Sequence, residues 1–279
     1  MLSMTKLIAP AKLTRNLEVV GVRNDGYHLI RSEMVSLDLA DEICIDPNLQ
    51  EGFELTDEIA WLNATGATPP AIPVDGDNLV QKALRLLGKE AAVKLIKRIP
   101  PGAGLGGGSS DAAAIFRWAG SADLSAAAKL GADVPFCIKG GRAMVGGIGE
   151  AIEELAYEEL SFVVVTPMLH VSTAEVYAAY DRMAEEKVIR GTSFGSGEDP
   201  CVNDLEAAAL AVEPKLVFWR DLLLDIASER PRLAGSGSSW FFEAPERKAE
   251  SLAREISQAV LEAGLTAMVK KTGAIKPLL

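Results

Sequence analysis

Cysteine is scarce in this 279-residue chain: Cys44, Cys137 and Cys201 are scattered and odd in number. There is no CxxC pair and no His/Cys cluster, and the two histidines, His28 and His170, lie far apart. That pattern argues against a disulfide framework and a structural zinc site. Positive charge is in deficit as well, with 28 Lys and Arg against 39 Asp and Glu and a net charge of −11. So acidic a chain is a poor partner for nucleic acid or an anionic membrane, and local features must hold any anionic ligand. Long hydrophobic runs are missing too. The apolar run 162–165 is far too short to span a bilayer. Residues 1–10 lack the basic segment and apolar core of a signal peptide. The expectation is a soluble protein of the reducing cytoplasm that handles a small molecule, with no nucleic-acid or membrane partner, as a monomer or weak homodimer.

What is present supports a sizeable core: 48% of residues are hydrophobic and 24% charged. The length suits two domains. Residues 12–20 read as a strand, with Leu13, Leu17 and Val19 on one face and Lys12, Thr14, Asn16 and Glu18 on the other. Only Arg15 breaks the alternation. Asn24-Asp25-Gly26 marks a turn, and Val35, Leu37, Leu39, Ile43 and Ile45 continue the strand character. A helix is expected at 79–87, a strand at 92–99, a helix from Ser110 or Asp111 to Trp118, and another at 124–130 stopped by Gly131. In the second half, 161–168 reads as a buried strand, and Ser172-Thr173-Ala174-Glu175 as a capping box opening a helix to Glu186. A polar glycine-rich loop follows at 191–200. Pro214 is placed at N1 of a helix ending near Arg230, a helix is expected at 245–264 and a last strand at 266–270. Strands with interleaved helices and no sustained βαβ rhythm predict an α+β fold.

One stretch stands apart. PPGAGLGGGSSDAAA, residues 100–114, holds five glycines between positions 102 and 108. It is not a Walker loop, because Gly108 is followed by two serines and no lysine. A dinucleotide fingerprint can be forced onto Gly102, Gly104 and Gly107, but the βαβ context is absent. Each glycine costs roughly 0.5–1 kcal/mol against alanine in a regular element. Five together imply a backbone that enters positive φ or lets a ligand come close. A strand, a glycine loop and a helix aim backbone N–H groups and the positive end of a helix dipole at one point, which suits a phosphate. A flexible linker is the competing reading, though a linker is not normally locked between an apolar strand and an alanine-rich helix. Ser109 or Ser110 would cap the helix, and one hydroxyl could face a metal.

With these residues in view the chain resembles the GHMP kinase superfamily. That family's phosphate loop has the form Pro-x-x-x-Gly-Leu-Gly-Ser-Ser-Ala-Ala, which 100–114 matches with extra glycines. Residues 9–30 (APAKLTRNLEVVGVRNDGYHLI), 131–136 (GADVPF) and 233–239 (LAGSGSS) resemble further motifs in the expected order. They point to the branch acting on 4-diphosphocytidyl-2-C-methyl-D-erythritol. The resemblance implies ATP-dependent phosphorylation of that compound's 2-hydroxyl, in non-mevalonate isoprenoid precursor synthesis. It also implies an N-terminal ribosomal-protein-S5-like domain at 1–158, a ferredoxin-like domain at 159–279, and an active site in the cleft between them.

Carried over residue by residue, the resemblance makes Asp133 the base and Lys12 its partner, a cation that favours the ionised carboxylate. Pro100, Pro101, Gly102, Ala103, Gly104, Leu105, Gly106, Gly107, Gly108, Ser109 and Ser110 would cradle the ATP phosphates, with Ser110 on Mg²⁺. Thr14, Tyr27, His28, Tyr177, Gly235, Ser236 and Gly237 would meet the substrate, the aromatics by stacking on its base. Taken alone these residues have plainer readings. Lys12 is a solvated strand lysine, Asp133 a turn residue before Val134-Pro135, Tyr27 a cover for the sheet, Tyr177 a packing partner of Tyr180, and 235–238 a turn. Asp133 is expected after a helix C-terminus, where no dipole favours it. The family usually has Asn where Thr14 stands and Ser where Ala234 stands, and its segment matching 115–129 is longer. Rival readings are a homoserine- or mevalonate-type kinase of the same superfamily and a non-catalytic nucleotide sensor.

Overall fold

The alternating apolar residues at 35–45 lie on one long strand that organises the first half of the molecule. A computed structural model describes residues 4–49, 51–64, 68, 71–74, 76–185 and 203–278. In chain order the first half holds β1 (Thr5–Thr14), β2 (Glu18–Val22), β3 (His28–Asp46), β4 (Gly52–Asp57), α1 (Leu79–Leu86), β5 (Ala92–Lys97), α2 (Gly107–Trp118), α3 (Leu124–Ala128), α4 (Val134–Lys139), β6 (Arg142–Gly147) and β7 (Ala151–Glu154). The second half holds β8 (Ser161–Pro167), α5 (Thr173–Glu185), α6 (Glu206–Val212), α7 (Lys215–Ala227), β9 (Arg232–Leu233), β10 (Trp240–Glu243), α8 (Glu246–Glu262) and β11 (Ala267–Gly273). The expected loop at 191–200 lies outside the described residues.

β3 is the hub of a seven-stranded sheet. Its one edge pairs with β1 and then β2, its other edge with β5 and β6, all antiparallel. Among the described strand pairs of this sheet, only β4 and β5 run parallel. The second sheet has four antiparallel strands in the order β11-β8-β10-β9. The mixed architecture agrees with the expected α+β class.

The sheets share an apolar layer. Ala11, Leu13, Val35, Leu37 and Leu39 of the first sheet pack in one cluster with Phe162, Val164, Phe241 and Met268 of the second. Phe162 and Phe241 meet edge to face at 6.1 Å. Each such fully buried aromatic contributes about 1.5–3 kcal/mol. The chain also crosses back. Beyond β11, Ile275 N–H donates to Ser36 O at 2.9 Å and Leu278 N–H to Lys139 O at 2.9 Å. Gly140 and Gly141, at φ +68° and +77°, admit this segment: a Cβ on them would lie 2.8 Å from Leu278 Cγ and Pro277 Cγ.

Three expectations need correction. The strand expected at 12–20 is interrupted at Arg15 and Asn16. Arg15 N–H donates to Glu33 O, Asn16 Oδ1 accepts from Glu33 N–H, and the Arg15 side chain turns to Glu33 and Glu243. The residue that broke the alternation is thus a tie between the two sheets. Second, α2 begins at Gly107, not at Ser110 or Asp111. Its N-cap is Gly106 at φ +66° with no side-chain cap, so neither serine caps it. Third, Asp133 precedes a helix: it stands at the N-cap position of α4 but makes no side-chain capping bond. Elsewhere the ends differ by a few residues. α3 stops at Ala128, and Pro214 is the N-cap of α7, which stops at Ala227. Ser172 caps the start of α5 as expected, accepting from Glu175 N–H at 3.3 Å, and the expected end at Glu186 lies outside the described residues.

Candidate active site

β1 carries Lys12 inward past a bulge beside Ala11, opposite Ser36 of β3. Lys12 is 5% exposed. Its Nζ donates to Thr14 Oγ1 at 3.0 Å and lies 3.3 Å from Asp133 Oδ2, whose side chain is partly open to solvent. The Lys12 backbone N–H donates to Leu105 O at 3.0 Å, which locks the glycine loop against β1. A Cβ on Gly106 would sit 2.7 Å from Lys12 Cγ. Glycine is therefore required there both by its positive φ and by the lysine stem. The expected pair and the expected loop are adjacent in space.

The second glycine stretch closes on the first. A Cβ on Gly104 would meet Ala234 O at 2.2 Å and Gly237 O at 3.0 Å, and Ser239 N–H donates to Ala103 O at 3.1 Å. A Cβ on Gly235 would lie 3.7 Å from both Lys12 Nζ and Thr14 Oγ1. Ser236 Oγ bonds Thr173 Oγ1 at 2.9 Å, and Asn203 Nδ2 donates to Gly235 O at 2.7 Å. Thus Ala234, Gly237 and Ser239 brace the loop from the second sheet's side, while Gly235 lies beside Lys12 and Thr14 and Ser236 is held by α5.

On α2, Ser110 Oγ is fully buried and has no hydrogen-bond partner, while Ser109 is half-buried. Beside Pro101 and Gly102 a cavity of about 560 Å³ opens, walled by Thr68, Ala71, Met168 and His170. The His170 ring stands over Gly102, where a Cβ would lie 2.7 Å from Nδ1. No motif pointed to His170.

A third group gathers at the other end. His28 stacks on Tyr177 with ring centroids 4.6 Å apart, meets Tyr180 edge-on at 6.0 Å, and bonds Asp181 through Nε2 at 2.6 Å. Burial, then the nearby charge of Asp133, pushes the Tyr177 phenol up to about 12, so it stays neutral. The same charge links this aromatic group electrostatically to the Lys12–Asp133 pair. Tyr27 points outward, 61% exposed. Cys137 on α4 is buried, which pushes its thiol far up and removes it as a nucleophile.

Sequence reasoning missed Asp181, and it missed a buried ion triad. Lys97 Nζ bonds Asp41 and, at 2.7 Å, Asp111. A signal was available. Alternation puts Lys97 on the face of Val93 and Leu95, and Asp41 on the face of Leu39 and Ile43. A charge on an apolar face calls for a partner. Burial pushes the Asp111 carboxyl up to about 7, against the pull of Lys97. Burial also works against the Lys97 ammonium, but the two carboxylates outweigh it and hold its pKa up.

Residues 78–141, which contain the glycine loop and Asp133, match the family model described as the GHMP kinases N terminal domain. That gives the class. Among curated proteins the chain is 36% identical over 241 residues, 84% of each chain, to the 4-diphosphocytidyl-2-C-methyl-D-erythritol kinase of Paracoccus denitrificans, strain Pd 1222. It is 35% identical over 272 residues, 91% of each, to the enzyme of that name from Nitrosomonas eutropha. Among solved structures it superposes on a crystal structure of 4-(cytidine 5'-diphospho)-2C-methyl-D-erythritol kinase. The TM-score is 0.69 and the identity 30%, covering 97% of this chain and 100% of that one. The chain belongs to the 4-diphosphocytidyl-2-C-methyl-D-erythritol kinase family.

Proposed function

We propose that the chain transfers the γ-phosphoryl group of ATP to the 2-hydroxyl of 4-diphosphocytidyl-2-C-methyl-D-erythritol. The observation that carries the reading is the Lys12–Asp133 pair, 3.3 Å apart and beside the 104–106 backbone. In this reading Asp133 accepts the hydroxyl proton as the oxygen attacks, and Lys12 offsets the negative charge that gathers there. The backbone N–H groups of the loop and of the start of α2 hold the phosphates. The cavity beside Pro101 and Gly102 takes the nucleoside of ATP. The cytidine lies at the other end, read by His28 and stacked by Tyr177, with Tyr27 free to close over it.

Mg²⁺ fits the donors present. Ser110 Oγ is a buried hydroxyl without a partner, a hard oxygen ligand suited to that cation. Among the described residues no group of three His, Cys, Asp or Glu could hold a metal unaided. The ion would take its other ligands from phosphate oxygens and water, and when bound it would neutralise phosphate charge. Thr14 keeps a hydrogen bond to Lys12, so the departure from Asn retains one polar contact. The two-domain reading draws support from the change of sheet between Glu154 and Ser161, with the boundary at 158/159. The first domain would be S5-like and the second ferredoxin-like, with residues 274–278 returned to the first.

The test is ATP turnover with three acceptors: the cytidylyl alcohol, homoserine and mevalonate. Turnover with the first alone, and a phosphorus NMR signal on its 2-hydroxyl, is expected. The segment 25–28 and the intact Lys12 and Asp133 favour this outcome over a homoserine or mevalonate kinase and over a silent sensor. Turnover of homoserine or mevalonate in preference, or of none of the three, would overturn it.

A further inference from the structure

The phosphoryl-transfer reading leaves the buried ion triad without a task. Asp41 is 0% exposed, and Lys97 and Asp111 are 3% exposed. Lys97 ends β5, Asp41 lies in β3, and Asp111 lies in the second turn of α2. Lys97 Nζ donates to Asp41 Oδ2 and to Asp111 Oδ2. The other Asp41 oxygen accepts the backbone N–H groups of Arg98 at 2.5 Å and Ile99 at 2.8 Å, the two residues where the chain leaves β5 for the glycine loop. On the far side of the loop, a Cβ on Gly107 would lie 3.1 Å from Lys97 Nζ and 3.0 Å from Ile99 Cγ2. The first residue of α2 therefore rests directly over the ammonium. One cation ties the entry of the loop to its exit.

A fold does not need this arrangement for stability. Buried charges lose their hydration, and apolar side chains of similar size hold a core at least as well. Charged hydrogen bonds supply direction instead. We propose that Lys97, with Asp41 and Asp111, is a positioning device for the ATP-phosphate loop. It fixes the strand end against the helix, so that the loop N–H groups and Ser110 are aimed before the nucleotide arrives. The triad touches neither nucleotide nor acceptor and acts through the loop. The inference rests on reading 100–110 as the phosphate loop.

Asp111→Ala tests it, because the change leaves a neutral Lys97–Asp41 pair and no bare charge. Binding of a fluorescent ATP analogue to the whole protein, and KM for ATP and for the cytidylyl acceptor, are measured together. The expected result is about a tenfold loss of analogue affinity and a matching rise in KM for ATP, with the acceptor KM within about twofold. Asp111→Asn, which keeps an acceptor for Lys97, is expected to fall between wild type and alanine. If the alanine variant does not fold, the asparagine variant decides alone, and its analogue affinity must drop at least about threefold. Lower melting temperature with unchanged nucleotide affinity would assign the triad to stability only and overturn the inference. Wild-type protein that does not bind the analogue would overturn the phosphate-loop reading itself.

Discussion

The two ends of the Lys12–Asp133 pair are built from different materials. At the glycine end the surface offered to a ligand is backbone, and the side chains nearby, Ala103 and Leu105, are buried in the apolar layer between the sheets. At the His28 end the surface is made of side chains: an imidazole, a phenol stacked on it and a carboxylate that holds the imidazole. A triphosphate presents the same oxygens in every nucleotide, so fixed N–H groups suffice for it. A base is distinguished by its pattern of donors and acceptors, and only side chains can be tuned to that pattern. On this view specificity for the acceptor resides at the second end, and the first end is constrained by close packing.

The comparison predicts different failures for different changes. The largest effect falls on the shared centre: Asp133→Asn or Lys12→Ala lowers kcat by at least about 10²-fold. Steady-state turnover measures it, and near-normal rates in both variants would remove the pair from the mechanism. Next is Gly104→Ala. Its Cβ would press on Ala234 O at 2.2 Å, and the residue sits at φ +76°. Backbone meets backbone there, so the two glycine stretches must part. KM for ATP should rise roughly tenfold, and by more than KM for the acceptor. At the other end, His28→Ala should raise the acceptor KM by about tenfold, the cost of roughly one hydrogen bond, and leave KM for ATP alone. If both Michaelis constants move together in either variant, the ends are not separate. The smallest effect belongs to Glu243, which serves neither end. Burial alone would raise its pKa, but Arg15 and Arg232 outweigh it and hold the carboxyl below its usual value. A lowered carboxylate contributes stability that is complete above its unfolded pKa and is lost as pH falls through the folded one. Between pH 6 and pH 3 the melting temperature should therefore drop more steeply in wild type than in Glu243→Gln. Activity at neutral pH should be nearly equal.

Much of the site was legible because short-range patterns carry it. The glycine loop lies between the strand and helix read from periodicity, and Ser172 caps α5 as its spacing requires. Reading failed where distant parts of the chain set local structure. Gly107 and Gly108 are poor helix formers, so the helix was expected to start at the serines. Ile99 lies tight against a Cβ at position 107 and Leu79 against one at 108, at 3.0 and 3.3 Å, so the distant packing favours the smallest residue at both. Asp181 lies far along the chain from His28, and nothing in either neighbourhood announces the other. Arg15 looked like a flaw in a strand because its partner Glu243 belongs to the other sheet. Asp133 reads as following one helix because α4 is short and opens on Val134-Pro135, residues that look like a turn.

The return of residues 274–278 to the first sheet bears on how the protein is made. α4, which begins beside Asp133, is capped at its far end by the contacts of Pro277 and Leu278 with Gly140, Gly141 and Lys139. During translation the ribosome must deliver the whole second sheet between those two partners. The nascent first half emerges with the far end of α4 still uncovered, and that cover arrives only when synthesis has passed residue 278. A ribosome stalled after β10 should carry a first sheet that is largely folded but catalytically silent.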